Sequence, residues 1–143
     1  MPEPPRSPAA IDPDLDRFLA LFRDGRYWDS HEALERPWRR NGSGFYKGLI
    51  LYASAFVHAG RGNPRGVRAQ LRKTMRQLEP FPPAYLGFDV DAILHHARRC
   101  LDRLEEGETE SRLPGPTLDW NPARVRGNEK ELDEAQGSRP RPS

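Results

Sequence analysis

The sequence predicts an all-α fold, a compact bundle of about five antiparallel helices joined by short turns. Three observations predict it. Apolar residues recur at the three- and four-residue spacing of amphipathic helices in several segments. Proline, glycine and capping residues stand at the boundaries of those segments. No segment alternates apolar and polar residues as a β-strand does, so the classes built on large sheets are excluded.

The first two predicted helices have clear boundaries. Asp12 and Pro13 supply an N-cap and a first-turn proline, and Gly25 closes the first helix. Its apolar face consists of Leu15, Phe18, Leu19 and Phe22. The second helix runs from about residue 27 to residue 40 and contains Pro37. Because a proline ring crowds the carbonyl four residues earlier, we expect a kink or an early end just before it.

The third predicted helix, residues 45–59, differs from the others because it is apolar on nearly every side. Such a helix is surrounded by other helices, so we expect it at the centre of the bundle. The fourth helix begins at Asn63, and the fifth begins at Asp89 or Asp91, since these side chains are good N-caps. Three prolines between them predict an extended connection.

The chain has 143 residues, enough for one hydrophobic core, which we expect to span residues 11–106. Five of the 15 prolines lie in the first 13 residues, and five more follow residue 113. Such ends bury too little apolar area to offset the entropy of ordering them. We therefore expect a disordered N-terminal tail over residues 1–10 and a mostly disordered C-terminal tail over residues 107–143. Leu118 and Trp120 are able to dock locally.

Composition excludes several classes of protein. No apolar run approaches the roughly 18–20 residues that span a bilayer, and no secretory leader is recognisable, so neither a membrane protein nor an exported one is expected. The single cysteine, Cys100, cannot form an internal disulfide, which favours a reducing, cytoplasmic location. The net charge of +2 and the pI of about 8.9 do not by themselves imply nucleic-acid binding.

Three segments together carry a family resemblance. They are Phe22–Arg39, which contains Tyr-Trp-Asp-Ser-His-Glu-Ala-Leu-Glu; Lys47–Ile50, followed by Ala53 and His58; and Arg61–Val67. Over about residues 15–106 the chain resembles domain-of-unknown-function family 309. The resemblance implies a small all-helical bundle from bacteria or archaea, of a family without an established activity. The residues that match the family are His31, Glu32, Glu35, Trp38, Gly48, His58 and Asn63. Many family members carry amide side chains where this sequence has Lys47 and Leu51.

Polar residues on otherwise apolar helices predict a site. His31 and Glu35 are four residues apart and share a helix face, with Glu32 about 100° away. On the third helix Lys47, Ser54 and His58 form a polar stripe. If the two helices are antiparallel neighbours, His31, Glu35, Ser54 and His58 form an internal cluster, with Lys47 toward one end.

This cluster has three interpretations. The first is a hydrogen-bonded network that fixes helix packing. The second is a ligand or catalytic pocket. The third is a metal site with His31, Glu35 and His58 as candidate ligands. The sequence contains neither His-Glu-x-x-His nor Glu-x-x-His, so zinc-protease and di-iron patterns are excluded. Glu32 also fits a capping box with Asp29. Trp28 and Trp38 are interpreted as core residues.

A basic stripe is the second candidate site. Arg65, Arg68, Arg72 and Arg76 recur at helical spacing on the fourth helix. They either bind an anionic partner or form a solvated face. No aromatic residue lies between Val57 and Glu79, so a stacking platform for single strands is lacking. A protein or small-molecule ligand is therefore favoured over nucleic acid.

On the fifth helix at most one of the adjacent His95 and His96 faces the core, and Cys100 is interpreted as a small buried residue.

The leading functional hypothesis is a non-enzymatic binding or interaction module. The alternatives are a hydrolase that uses Glu35 or His58 as a general base, with or without a metal, and an anion-binding protein that uses the arginine stripe.

Overall fold

The computed structural model describes residues 12–121 and confirms the all-α prediction. Its helices are α1 (Pro13–Arg23), α2 (Tyr27–Asn41), α3 (Gly44–Gly60), α4 (Pro64–Leu78) and α5 (Val90–Glu105). A two-stranded antiparallel sheet, β1 (Ala84–Tyr85) and β2 (Phe88–Asp89), lies between α4 and α5. The predicted N-terminal tail, residues 1–10, falls outside the described residues, and so does the part of the predicted C-terminal tail (107–143) that follows residue 121. Within the described range no helix is both long and apolar enough to cross a membrane.

Helix α3 lies at the centre of the bundle, as its apolar sequence predicts. It packs against α2 on one side and α4 on the other, while α1 packs on α2 and α5 packs on α4. Phe45, Leu49 and Tyr52 on α3 are fully buried. Aromatic rings link this core, since Tyr52 stacks on Phe22 of α1 with 5.6 Å between the ring centroids.

Side chains cap four of the five helices. Each carboxylate, hydroxyl or amide oxygen accepts a hydrogen bond from a backbone N–H in the first turn of its helix, as N-capping requires. The capping residues are Asp12, Ser43, Asn63 and Asp89. The predicted caps at Asp12 and Asn63 are therefore confirmed, and Asp89 rather than Asp91 begins α5.

The predicted early end of α2 just before Pro37 is wrong, whereas a kink at this position stays a prediction. The helix continues through this proline to Asn41 and ends at Gly42, whose φ of +65° is left-handed. Packing holds the helix on both sides of the proline, since Leu34 is fully buried before it and Trp38 contacts the core after it. This burial offsets the backbone hydrogen bond that Pro37 cannot donate.

The hairpin of β1 and β2 is an element that the sequence did not predict. Each strand has two residues, too few to show an alternating pattern. The turn residues Leu86 and Gly87 both have positive φ, +50° and +88°, as in the type I′ turns that suit short hairpins. Gly87 is also required because a Cβ atom there would overlap the indole of Trp120.

The chain after α5 returns across the bundle. A 3₁₀ turn, Glu110–Arg112, follows α5, and the next residues lead to Leu118, which is 4% exposed. The Arg23 guanidinium donates two hydrogen bonds, of 3.1 and 3.0 Å, to the carbonyl of Leu118. The Trp120 indole N–H donates to the carbonyl of Leu86 at 2.7 Å. Leu118 therefore docks on the helical core, and Trp120 docks on the hairpin.

Gly48→Ala is expected to lower the free energy of unfolding by about 1–3 kcal/mol, the usual cost of overpacking. A Cβ atom at Gly48 would overlap the Leu78 side chain, which is fully buried in the core. Urea unfolding of this variant and of Gly60→Ala, where a Cβ meets no atom within 4 Å, is the measurement. Equal stability of the two variants would contradict the close approach of α3 and α4.

Candidate functional site

The candidate site lies along one face of α2 where this helix packs against α3. Tyr27 contacts Phe56 near one end, with 5.7 Å between ring centroids. At the other end the Lys47 ammonium lies 4.4 Å from the centroid of the Trp38 ring. These two contacts show that α2 and α3 run antiparallel, as the facing polar stripes required.

His31, Glu32 and Glu35 form the tightest group of potential ligands in the described part of the chain. Ligand atoms of the three side chains all lie within 4.8 Å of one another. The Nδ1 atom of His31 is buried without a hydrogen-bond partner, and it lies 3.8 Å from Oε1 of Glu32. Glu35 accepts a hydrogen bond from the Arg39 guanidinium at 3.2 Å. The group is therefore partly open, with one buried nitrogen that lacks a partner.

Trp28 forms the outer edge of this group, and its predicted core position is wrong. The residue is 52% exposed, and its ring stacks on His31 with centroids 5.5 Å apart and planes 15° apart. The guanidinium carbon of Arg61 lies 5.4 Å from the same indole centroid. Trp28 is three residues before His31, so it shares the open face of α2 rather than the face of Leu34, which is fully buried.

His58 is positioned by the loop between α3 and α4. Its Nδ1 accepts a hydrogen bond from the Asn63 amide at 3.1 Å, while the Asn63 oxygen caps Gly66. A Cβ atom at Gly66 would lie 2.5 Å from the same nitrogen, so the α4 backbone approaches the imidazole closely. His58 thus faces the start of α4.

The structure brings together only part of the expected internal cluster. Among the described residues no hydrogen bond joins His58 to His31 or Glu35, and Ser54 is half-buried on α3. A sealed network of these side chains is therefore not formed. The capping box is also absent, since Asp29 lies inside α2 and pairs with Arg26 at 2.8 Å.

Two of the four arginines of the basic stripe, Arg72 and Arg76, line cavities. Arg76 lines a cavity of about 290 Å³ between α3 and α4, whose other lining residues are Lys47, Leu51, Lys73 and Gln77. With Arg72, Arg76 also lines a groove of about 350 Å³ between α4 and α5, whose other lining residues are Met75, Glu79, Arg98, Leu101 and Glu105. Arg65 and Arg68 line neither cavity.

His96 is a partly buried polar residue whose hydrogen bonds were not predicted from the sequence. Its Nε2 donates to the carbonyl of Pro114 at 2.7 Å, and its Nδ1 accepts from the Tyr52 hydroxyl at 2.6 Å. Burial lowers the pKa of His96 and raises that of Tyr52. The inward position of His96 could have been predicted, because it lies between the apolar residues Ile93 and Cys100 at three- and four-residue spacing. His95 is exposed, so one histidine of the pair faces inward, as predicted.

Cys100 is buried, as predicted from its sequence context. Its sulfur lies 3.6 Å from Nε2 of His96, but the N–H of that nitrogen donates its hydrogen bond to the Pro114 carbonyl. Burial raises the pKa of the thiol to about 11, so the reactive thiolate form is disfavoured.

Comparison with known proteins gives one family match. Residues 15–70 match the family described as Domain of unknown function (DUF309), and the match supports the resemblance drawn from the motifs over these residues. The matched segment extends from α1 into α4 and includes His31, Glu32, Glu35 and His58. No curated protein matches the chain.

Proposed function

We propose that the DUF309 region of this chain is a non-enzymatic binding module whose ligand is a divalent metal ion. The ligands on α2 are His31, Glu32 and Glu35. One observation carries the proposal: three donor atoms lie within 4.8 Å of one another, and one of them is a buried imidazole nitrogen without a hydrogen bond. A buried polar atom of this kind normally has a partner, and a metal ion would supply it.

The donor set selects the class of metal. One imidazole nitrogen with two carboxylates suits Zn²⁺ and neighbouring first-row ions better than Ca²⁺, which takes oxygen ligands alone. Ligand atoms of a tetrahedral zinc site lie roughly 3.4 Å apart, given metal–ligand distances of about 2.1 Å. The present group, with ligand atoms within 4.8 Å of one another, is wider than that, so we expect the Glu32 and Glu35 side chains to rotate when a metal binds.

Three protein ligands would leave a coordination position open. Such sites bind water or a further ligand, whereas closed structural sites use four protein ligands. Trp28 stands beside the open face, so a ligand on the metal would meet an aromatic surface. This arrangement supports binding of a partner at the metal.

The observed contacts support a binding module over the hydrolase alternative. The hydrolase alternative needs Glu35 or His58 to be a general base within hydrogen-bond reach of a substrate proton. Glu35 instead pairs with Arg39, and His58 pairs with Asn63. We also assign the module to the cytoplasm, because its single cysteine is buried and cannot form an internal disulfide.

Addition of Co²⁺ to the full chain is expected to produce visible d–d absorption and to raise the melting temperature. Both effects follow from ligation by an imidazole and from binding to the folded state alone. His31→Ala and Glu35→Gln are each expected to weaken Co²⁺ binding more than tenfold, since each removes a direct ligand. Titrations followed by absorption and by thermal melts, with Zn²⁺ in competition, measure this.

His95→Ala is the matched control, because His95 is an exposed histidine on α5 outside the group. This variant is expected to bind Co²⁺ like the parent. Equal loss of binding in His95→Ala and His31→Ala would indicate adventitious surface binding and overturn the proposal. Absence of saturable Co²⁺ and Zn²⁺ binding by the parent would do the same.

A further inference from the structure

We propose that the cavity between α3 and α4 is a binding site for a phosphate group, either free or carried by a small phosphomonoester. This site is separate from the metal ligands, since no residue is shared between the two. Its cationic side chains are Lys47 from α3 and Lys73 and Arg76 from α4. The inference therefore stands or falls independently of metal binding.

The charge of the cavity lining is the first argument. Three of the five lining side chains are cationic, Gln77 offers an amide donor, and no carboxylate lines the cavity. In the described part of the chain none of the three cations belongs to an ion pair. Like charges held around one cavity repel each other, and a bound dianion removes this repulsion.

The position of Lys47 is the second argument. Its ammonium group is held 4.4 Å from the centroid of the Trp38 ring, a cation–π contact that restricts a normally flexible side chain. Leu51, 9% exposed, gives the cavity an apolar floor one helical turn further along α3. One cation is thus ordered in advance, which reduces the entropic cost of binding.

The volume and the donor groups of the cavity favour a small anion. Its volume of about 290 Å³ is at the lower limit of typical ligand pockets, so it fits a phosphate or a compact phosphomonoester. Two lysines and one arginine supply point charges and a planar donor pair, both of which bind phosphate oxygens. The neighbouring groove between α4 and α5 contains Glu79 and Glu105, and these acids disfavour an anion there.

The test is calorimetric titration of the full chain, in chloride buffer, with inorganic phosphate and separately with phenyl phosphate. Saturable binding of one phosphate group per chain is expected, and the tighter of the two probes identifies the free or the esterified form. Lys47→Gln and Arg76→Gln are each expected to weaken binding about tenfold or more, as expected for loss of one charge-assisted hydrogen bond. Arg76 is exposed, so its variant folds normally.

Arg65→Gln is the matched control, because Arg65 lies on α4 outside the cavity and the substitution removes the same charge. It is expected to change phosphate binding less than twofold. Equal weakening by Arg65→Gln and Arg76→Gln would show a diffuse charge effect and overturn the proposal. No saturable binding of either probe by the parent, or binding of heparin alone, would overturn it as well.

Discussion

Leu118→Ala is expected to lower the free energy of unfolding by about 3 kcal/mol, although this residue lies 13 positions beyond the last residue of α5. The side chain is 4% exposed and belongs to the hydrophobic core of the bundle. Its truncation leaves a cavity beneath a segment that Arg23 holds through the Leu118 carbonyl. Urea unfolding followed by circular dichroism is the measurement.

Thr117→Ala is the control, since Thr117 is exposed and adjacent in sequence. Its free energy of unfolding is expected to stay within about 0.5 kcal/mol of the parent value. Trp120→Ala is expected to resemble Leu118→Ala, because the indole packs on Gly87 and donates to Leu86. Parent-like stability of both Leu118→Ala and Trp120→Ala would mean that this segment is not part of the cooperative unit.

The helices could be predicted because their signals are local. The spacing of Leu15, Phe18, Leu19 and Phe22 determines which face of α1 is buried, and capping by Asp12 and Asn63 depends on residues within one turn. The course of α2 through Pro37 could not be predicted, since it depends on packing after the proline. The hairpin depends on two positive φ angles at Leu86 and Gly87, and leucine gives no local signal of such a turn.

In the candidate site, as in the fold, the features that depend on local spacing could be predicted and the tertiary ones could not. The four-residue spacing of His31 and Glu35 places both on one face of α2 whatever the tertiary structure, and Glu32 completes the group. The orientation of the His58 side chain depends on tertiary contacts. The Asn63 amide and the α4 backbone at Gly66, which approaches the imidazole closely, determine it. The cationic cavity combines Lys47 with Arg76, which the sequence assigned to two different candidate sites.

His96→Ala is expected to lower the free energy of unfolding by about 3 kcal/mol at neutral pH. The substitution removes the ring that packs against Tyr52 and Phe56, leaves the buried Tyr52 hydroxyl without its acceptor, and removes the Nε2 donor from the Pro114 carbonyl. An orphaned buried polar group costs about 1–3 kcal/mol by itself. His95→Ala, on the exposed neighbour, is expected to change stability by less than about 0.5 kcal/mol. Similar unfolding midpoints for the two variants would contradict the buried role of His96.

The pH dependence of stability gives this prediction a second, independent measurement. Burial lowers the pKa of His96, so the unfolded imidazole takes up a proton at a higher pH than the folded one. Between these two pKa values the unfolded state holds more protons, and the free energy of unfolding therefore rises with pH. The contribution of His96 is fully present above the ordinary imidazole pKa of about 6.5 and is lost as the pH falls through the folded value. His96→Ala is expected to show a smaller loss of stability between about pH 8 and pH 5 than the parent, whereas His95→Ala keeps the parental slope. An unchanged slope in His96→Ala would show that His96 is not held neutral in the fold, and the hydrogen-bond assignment to Tyr52 would fail with it.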